Sequence, residues 1–577
     1  MNFKEFSKST IRKFPFLLPF VDAVQGMLHP LEQAALWKDY ALFRRDTAFA
    51  REHRSLSSHT ADGKGKTALI VLASDMAYEV KILAMLAYGL KMRGFRVVVF
   101  ASKICLWARR YFSAYGINEF VYWEDWKASY EEEEEMAAFT REAFDKPLTF
   151  QAVKEWNYRS AWIGPQILSS VVRGLLAGKP DPRDPVIQEN IRQILPSTLA
   201  MVHIAEKVLN AVHPDKLVLI EANYALMGAL VDTAMTRNVT VIQAIQPSRD
   251  DALILKKLTR QNRRLHPFSV SSESMERLKH MEWTSMHEAK LQEELQSRYK
   301  GKWFLQSRNQ PGVKEKKRDD IVRQFNLNPA KKTAVIFSPV LWDANLFYGD
   351  DLFEDFGDWF IQTLRAACAN PRVNWLVKLH PANLWKRARQ NVESELAEVS
   401  LIREHFGDPS ALPGHVKLLF PDTDISTWSL FENADYGLTV RGTVGIEMPC
   451  FGKPMFTAGT GRYSDLGFTT DSSTKEEFLQ RLEHIEEYPA MTQEQTLLAK
   501  KHAYALFCLR PWVMKSFRAK FSYKKKGIHP LDSNLFPVVK SLDELHAFGD
   551  LEKFASWVCS EEVDYLLSSR EDRNSSG

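Results

Sequence analysis

"TALIVLASDMAYEVKILAMLAYGLKMRGFRVVVFA" (67–101) decides the fold. Its opening, ALIVLA (68–73), is a short apolar run of the kind that makes a fully buried strand. YEVKILAMLAYGLKMRG (78–94) then spaces its apolar residues as a helix does and stops on Gly94. FRVVVFA (95–101) is a second buried-strand run. Strand, helix and strand in this order form a βαβ unit, which joins parallel strands and covers their sheet with helices.

The pattern extends outward from this unit. Residues 128–205 read as mostly helical, and the acid run Glu131–Glu135 within them reads as a solvated helix face. KLVLIE (216–221), a helix, VTVIQAI (239–245) and a stretch at 267–271 followed by a helix complete a first βα-rich half. SRNQPGVKEKKRDD (307–320) lacks apolar periodicity, carries Pro311 and Gly312, and is the expected linker. The alternation then restarts with TAVIFSP (333–339), VNWLVKLH (373–380), HVKLLFP (415–421), DYGLTV (435–440) and KPMFTA (453–458). An α/β fold of two doubly wound domains facing each other is expected. The expected divisions are a helical extension (1–60), a first domain with a helical insertion (61–315), a second domain (316–495), and a helical segment with a disordered tail (496–577).

At 577 residues the chain exceeds one core of ordinary size. A net charge of +4 offers no general attraction for nucleic acid, so none is expected as a partner. The five cysteines are odd in number and never spaced as CxxC, which argues against a disulfide framework or zinc site and for a reducing compartment. The apolar run near the N-terminus is broken by Pro15 and Pro19 and does not read as a signal peptide. No stretch approaches the ~20 apolar residues of a membrane span. A cytoplasmic protein, at most peripheral to a membrane, is expected.

Several motifs fail on inspection. Gly65-Lys66-Thr67 precedes a strand, whereas a phosphate-binding loop of that sequence follows one. Asp422 and Asp424 in PDTDIST (421–427) could hold a metal, but Asp424 reads better as a turn or helix-capping residue. His203, His213 and His266 lack metal-ligand spacing, and no GxSxG element is present.

Three strand ends carry more. In LTVRGTVGIEMPCFGKPMF (438–456) a strand turns through Arg441, Gly442 and Thr443 into a helix, whose free N–H groups and adjacent cation suit a phosphate. Glu447, one turn further, could accept from ribose hydroxyls, and Lys453 joins the same donor-side group. Val377-Lys378-Leu379-His380-Pro381 ends a strand on a histidine that the proline fixes at the rim, where it can hydrogen-bond a phosphate. Glu221 ends a strand of the first half and is placed as a general base, and Gln246 ends the next strand.

VKLHPAN (377–383) and DISTWSLFENADYGLTVRGTVGIEMPCFGKPMFTAGTGRYSDLGFT (424–469) resemble the capsule polysaccharide biosynthesis family, which includes bacterial Kdo transferases. The likeness spans roughly 330–485; the first half matches only in βα pattern and in Glu221. It implies a GT-B glycosyltransferase with its active site between two Rossmann-like domains and a donor such as a CMP-linked acidic sugar. It implies that His380 contacts the donor phosphate and an acid on the other domain, here Glu221, deprotonates the acceptor. It implies no metal or other cofactor, and a loop holding Arg462 and Tyr463 on the donor side. Arg441-Gly442-Thr443 stands where relatives often carry a Ser-Ser or Ser-Thr pair, which leaves the donor open.

The expected partners are a nucleotide-activated sugar and a glycan or glycolipid acceptor. RPWVMKSFRAKFSYKKKG (510–527) interleaves basic and aromatic residues and could sit on an anionic membrane; Phe517 and Phe521 are spaced one helical turn apart. The alternatives are a CDP-glycerol-type polyol-phosphate transferase, which shares a similar late βα pattern, and a non-catalytic polysaccharide-binding or export-coupling protein of the same fold.

Overall fold

The computed structural model describes residues 39–51, 65–175, 177, 181–247, 249–300, 302, 313–341, 346–383, 395–519 and 535–566. The first sheet contains β1 (Thr67–Val71), β2 (Arg96–Ala101), β3 (Glu119–Tyr122), β4 (Lys216–Leu219), β5 (Thr240–Ile245) and β6 (Ile254–Leu258) in the order β3-β2-β1-β4-β5-β6. Only β6 runs antiparallel. The second sheet contains β7 (Thr333–Phe337), β8 (Asn374–Lys378), β9 (Val416–Leu419), β10 (Tyr436–Thr439), β11 (Met455–Thr457) and β12 (Thr470–Asp471) in the order β12-β11-β10-β7-β8-β9, all parallel.

Counted from the start of each domain, both sheets follow the order 3-2-1-4-5-6. This is the doubly wound order that binds nucleotides at the reversal point. The chain therefore has the expected α/β architecture, two Rossmann-like domains facing across a cleft in the GT-B arrangement. The reversal points lie between β1 and β4 and between β7 and β10.

Alternation along each strand supplies both faces of the core. Ala68 and Ile70 enter one apolar layer of the first domain, Leu69 and Val71 the other. In the second domain Ala334 and Ile336 face one layer, Val335 and Phe337 the other. A strand buried on both faces reads as an unbroken apolar run, which is why these strands were legible.

β6 was not anticipated, because Lys256 and Lys257 interrupt its apolar run. Both are buried. Lys256 Nζ donates to the Ser269 hydroxyl at 2.6 Å and Lys257 Nζ to the Trp557 carbonyl at 2.8 Å, which satisfies the ammonium groups inside. The stretch at 267–271 is not a strand; Ser271 caps the helix Ser272–Lys279.

The expected linker is shorter than 307–320. Residues 307–312 lie outside the described residues, but Lys314 already pairs with the second domain. Its N–H donates to the Asp424 carbonyl at 2.6 Å, and the helix Arg318–Phe325 follows. Asp424 itself accepts from Lys316 and, at 3.1 Å, from Gln324; Ser426, not Asp424, caps the helix Thr427–Asn433. The acid run lies on the helix Tyr130–Asp145, capped by Ser129, with Glu132 paired to Lys207.

The region after 496 differs most from expectation. Phe517 lies in a strand, β13 (Phe517–Ala519), paired antiparallel with β14 (Leu535–Pro537), not on a helix beside Phe521. Phe521, Tyr523 and Lys524–Lys526 lie outside the described residues. Arg510 and Trp512 are buried, and Arg510 donates to the carbonyls of Pro267 and Ser269 at 3.0 and 2.8 Å. Leu551, Phe554 and Trp557, on the helix Asp550–Cys559, pack into the first domain's core beside the helix Ala77–Met92. The segment 535–566 thus returns to the first domain. No described helix is long and apolar enough to cross a membrane.

Candidate functional site

At the first reversal point the chain leaves β4 through Ile220-Glu221-Ala222-Asn223. The N–H groups of Ala222 and Asn223 approach Glu221 Oε1 at 3.1 and 3.4 Å. Arg263 braces this turn. It donates to the Ala222 carbonyl at 2.8 Å and to Asn223 Oδ1 at 2.7 Å, and its own charge is met by Asp232 at 2.6 Å. A second carboxylate comes from the neighbouring exit. Glu79, on the helix after β1, is buried and accepts from the Ala73 N–H at 2.5 Å and the Ser74 hydroxyl at 2.6 Å. Burial raises its pKa, and the negative charge of Glu221 adds to the rise. Two carboxylates therefore share this reversal point.

In the second domain His380 follows β8 directly. The Ala382 N–H donates to His380 Nδ1 at 3.1 Å. A ring nitrogen that accepts cannot hold the proton of the neutral imidazole, so the proton is on Nε2. Nε2 has no partner among the described residues and is an available donor. Burial, with the charge of Lys378, lowers the pKa of His380 to about 4, so the ring is neutral at physiological pH. Lys378 is buried at the end of β8, makes no hydrogen bond or ion pair among the described residues, and has its pKa lowered to about 8 by burial. Pro381 starts the turn after His380. Glu398 holds this corner together, accepting from Asn383 Nδ2 at 2.8 Å and from the Ser338 hydroxyl at 3.3 Å across the exit of β7.

The exit of β10 is built differently from expectation. The helix after Thr443 is only the single turn Val444–Glu447, followed by the tighter turn Met448–Phe451 around Pro449. It is too short to act as a dipolar phosphate site. The Gly442 N–H is taken by Thr439 Oγ1 at 3.2 Å, and the Gly442 carbonyl accepts from the Tyr463 hydroxyl at 2.7 Å. Arg441 is 3% exposed and pairs with Asp351. Glu447 is 1% exposed with both oxygens engaged, by Arg298 Nε at 2.8 Å and the Tyr299 hydroxyl at 2.7 Å. It is a brace between the helix Ser285–Tyr299 and the β10 exit, and the ribose role is withdrawn. Lys453 precedes β11 and so lies at the opposite edge of the parallel sheet from the exits, away from the donor side. Gln246 follows β5, its Nε2 buried without a partner. Arg462 does lie at this exit, donating to the Arg441 carbonyl at 3.3 Å and Thr443 Oγ1 at 3.2 Å.

The two reversal points meet. Residues 346–351, downstream of β7, reach the first domain: Tyr348 OH bonds Asn223 Nδ2, and the Arg263 guanidinium lies 4.1 Å from the Phe347 ring centre. The Gly349 N–H donates to the Arg264 carbonyl at 2.7 Å, and the His266 N–H to the Gly461 carbonyl at 2.7 Å. Gly461 has φ +88°, and a Cβ there would stand 2.7 Å from Gly349 Cα, so glycine is needed at this seam.

Sequence alone missed Glu79, Glu398, Arg263 and Tyr348. Glu79 had a usable signal, an acid in the first helical turn after β1. The other three take part through contacts distant in sequence. Among the described residues one trio, His484, Glu486 and Glu487, gathers metal-ligating atoms, but Glu486 is already paired with Arg372.

Fold and site together define a two-domain α/β protein with a carboxylate pair at one nucleotide-type crevice and a neutral imidazole beside an ammonium near the other. No family model matches the chain, and no curated protein matches it. Among solved structures, the KpsC beta Kdo 2,4 transferase of Thermosulfurimonas dismutans is 13% identical, with 58% of this chain and 87% of that chain covered at a TM-score of 0.31. The UDP-GlcNAc 2-epimerase from Neisseria meningitidis bound to UDP-GlcNAc is 13% identical, covering 76% and 95% at 0.24. A glycosyltransferase from Rickettsia africae is 8% identical, covering 85% and 99% at 0.23. Overlaps this loose carry no argument about activity; the strand orders carry the fold.

Proposed function

We propose that the protein is a glycosyltransferase of bacterial surface polysaccharide synthesis, using a nucleotide-activated donor of the CMP-linked, Kdo-like class and a glycan or glycolipid acceptor. One observation carries the reading. The carboxylates Glu79 and Glu221 at one reversal point face, across the Asn223–Tyr348 seam, a sheet edge bearing the Nε2–H of His380 and the ammonium of Lys378. Glycosyl transfer needs a base for the acceptor hydroxyl and stabilisation of the departing phosphate. Glu221 takes the acceptor proton. His380 donates a hydrogen bond to the leaving phosphate without changing its own charge, and Lys378 supplies the positive charge. Neutralisation by Lys378 leaves no task that demands a metal, and turnover should survive chelation by EDTA. Nucleotide-activated donors place the reaction in the cytoplasm.

The test is acceptor-dependent nucleotide release by the purified full chain from CMP-, UDP- and GDP-activated sugars and from CDP-glycerol. Release of CMP from a CMP-sugar supports the reading. Release of CMP only from CDP-glycerol, with phosphate retained in the product, replaces it with a polyol-phosphate transferase. Saturable glycan binding without any nucleotide release leaves a binding protein.

A further inference from the structure

A buried guanidinium is costly unless a carboxylate or several acceptors meet it. Around the exits of β10 and β11 most such charges are balanced. Arg441 pairs with Asp351, Arg298 with Glu447 at 2.8 Å, and Arg510 with Asp564 at 3.6 Å. Arg462 is different. Among the described residues it has no ion-pair partner; it donates only to the Arg441 carbonyl and Thr443 Oγ1, and its Nε is buried without a partner. Burial lowers its pKa to about 10 despite the nearby negative charge of Glu447, which is committed to Arg298. Beside it Arg441, 97% buried by its 3% exposure, leaves Nε and Nη1 unpartnered although Nη2 is engaged by Asp351. Two adjacent guanidinium groups thus keep donors unused and carry one positive charge more than the acids that pair with them.

We propose that Arg462 and Arg441 form an oxyanion-binding subsite, distinct from the one at His380, that takes a carboxylate or phosphate borne by the sugar or the acceptor. The planar guanidinium fork suits the paired oxygens of such a group. The exits of β8 and β11 are three strand spacings apart in the sheet, about 14 Å, which is more than one phosphate spans. The substrates therefore carry two anionic groups, the nucleotide phosphate and a second one. The assignment of that anion to sugar or acceptor rests on the glycosyltransferase reading; the subsite itself does not.

The experiment is calorimetric titration of the full chain with inorganic phosphate, pyrophosphate and glucuronate, in wild type, Arg462→Gln, Arg462→Lys and His380→Ala. The proposal expects at least one anion to bind wild type, with affinity about tenfold or more lower in Arg462→Gln. It expects partial rescue in Arg462→Lys, which keeps charge but not the fork, and no loss in His380→Ala. Preference for glucuronate marks a sugar carboxylate, and preference for phosphate marks a phosphorylated substrate. Absence of binding by wild type, equal affinity in Arg462→Gln, or an equal loss in His380→Ala overturns it. Should these affinities behave as proposed while no donor is turned over, the subsite stands and the glycosyltransferase reading falls.

Discussion

The backbone N–H of Ala382 donates to Nδ1 of His380 at 3.1 Å, and this contact commits the other ring nitrogen to the donor role. His380→Ala should lower kcat/KM by about 10²–10³, the usual cost of removing one donor to a developing oxyanion. His380→Gln, which can still donate, should lose less. Steady-state kinetics of both variants checks this, and equal losses would remove the hydrogen-bonding role. Because the ring is held near pKa 4, the rate should show no inflection from His380 around pH 6.5.

Lys378 sets the opposite limb. Burial holds its pKa at about 8, so the ammonium is present below that pH and lost above it. Activity should fall as pH rises through 8, and Lys378→Met should be slower at neutral pH and lack that alkaline fall. A wild-type profile flat to pH 10 would contradict this.

The carboxylate pair predicts a shift, not only a loss. Glu221→Gln should cost about 10²–10⁴ in kcat, the range for a general base. Glu79 and Glu221 raise each other's pKa through like charge, so Glu79→Gln should move the acid limb of kcat/KM to lower pH while leaving a measurable kcat. An unmoved limb would show that the two groups are not coupled.

Glu447 should prove structural. Replacing it with Gln leaves Arg298 buried without its counter-charge, and breaking a buried pair costs about 3–5 kcal/mol. Urea denaturation measures the cost. Nucleotide affinity, measured on the folded fraction at low temperature, should stay within about twofold, since a twofold change is well under 1 kcal/mol.

His502 is fully buried against Phe468, with neither ring nitrogen partnered, and burial lowers its pKa to about 3. The unfolded chain binds this proton at its ordinary pKa near 6.5, so stability is fully present above 6.5 and falls as pH drops toward 3, at up to about 1.4 kcal/mol per pH unit for one such group. His502→Leu should make the fall between pH 6 and 4 shallower by about one proton and should not lower stability at pH 8. Equal slopes would show that other groups carry the acid response.

The sheets were legible because strands buried on both faces announce themselves as apolar runs, and Glu221 and His380 because they end such runs. β6 was hidden by Lys256 and Lys257, whose charges are satisfied by Ser269 and Trp557 far along the chain. Arg441 and Glu447 were placed in the right turn but given ligand roles, since their buried partners Asp351 and Arg298 stand about 90 and about 150 positions away. Local sequence locates a strand exit; it does not tell whether the charge there faces a ligand or a neighbouring element.

The return of residues 535–566 to the first domain constrains synthesis. Leu551, Phe554 and Trp557 complete the apolar layer over the helix Ala77–Met92, yet they emerge from the ribosome after the whole second domain. At the usual pace of ~5–20 residues per second, that helix waits on the order of half a minute with its outer face uncovered. The nascent first domain is thus a natural client for a chaperone, and loss of the 535–566 segment would leave an adhesive surface on a domain whose own sheet is intact.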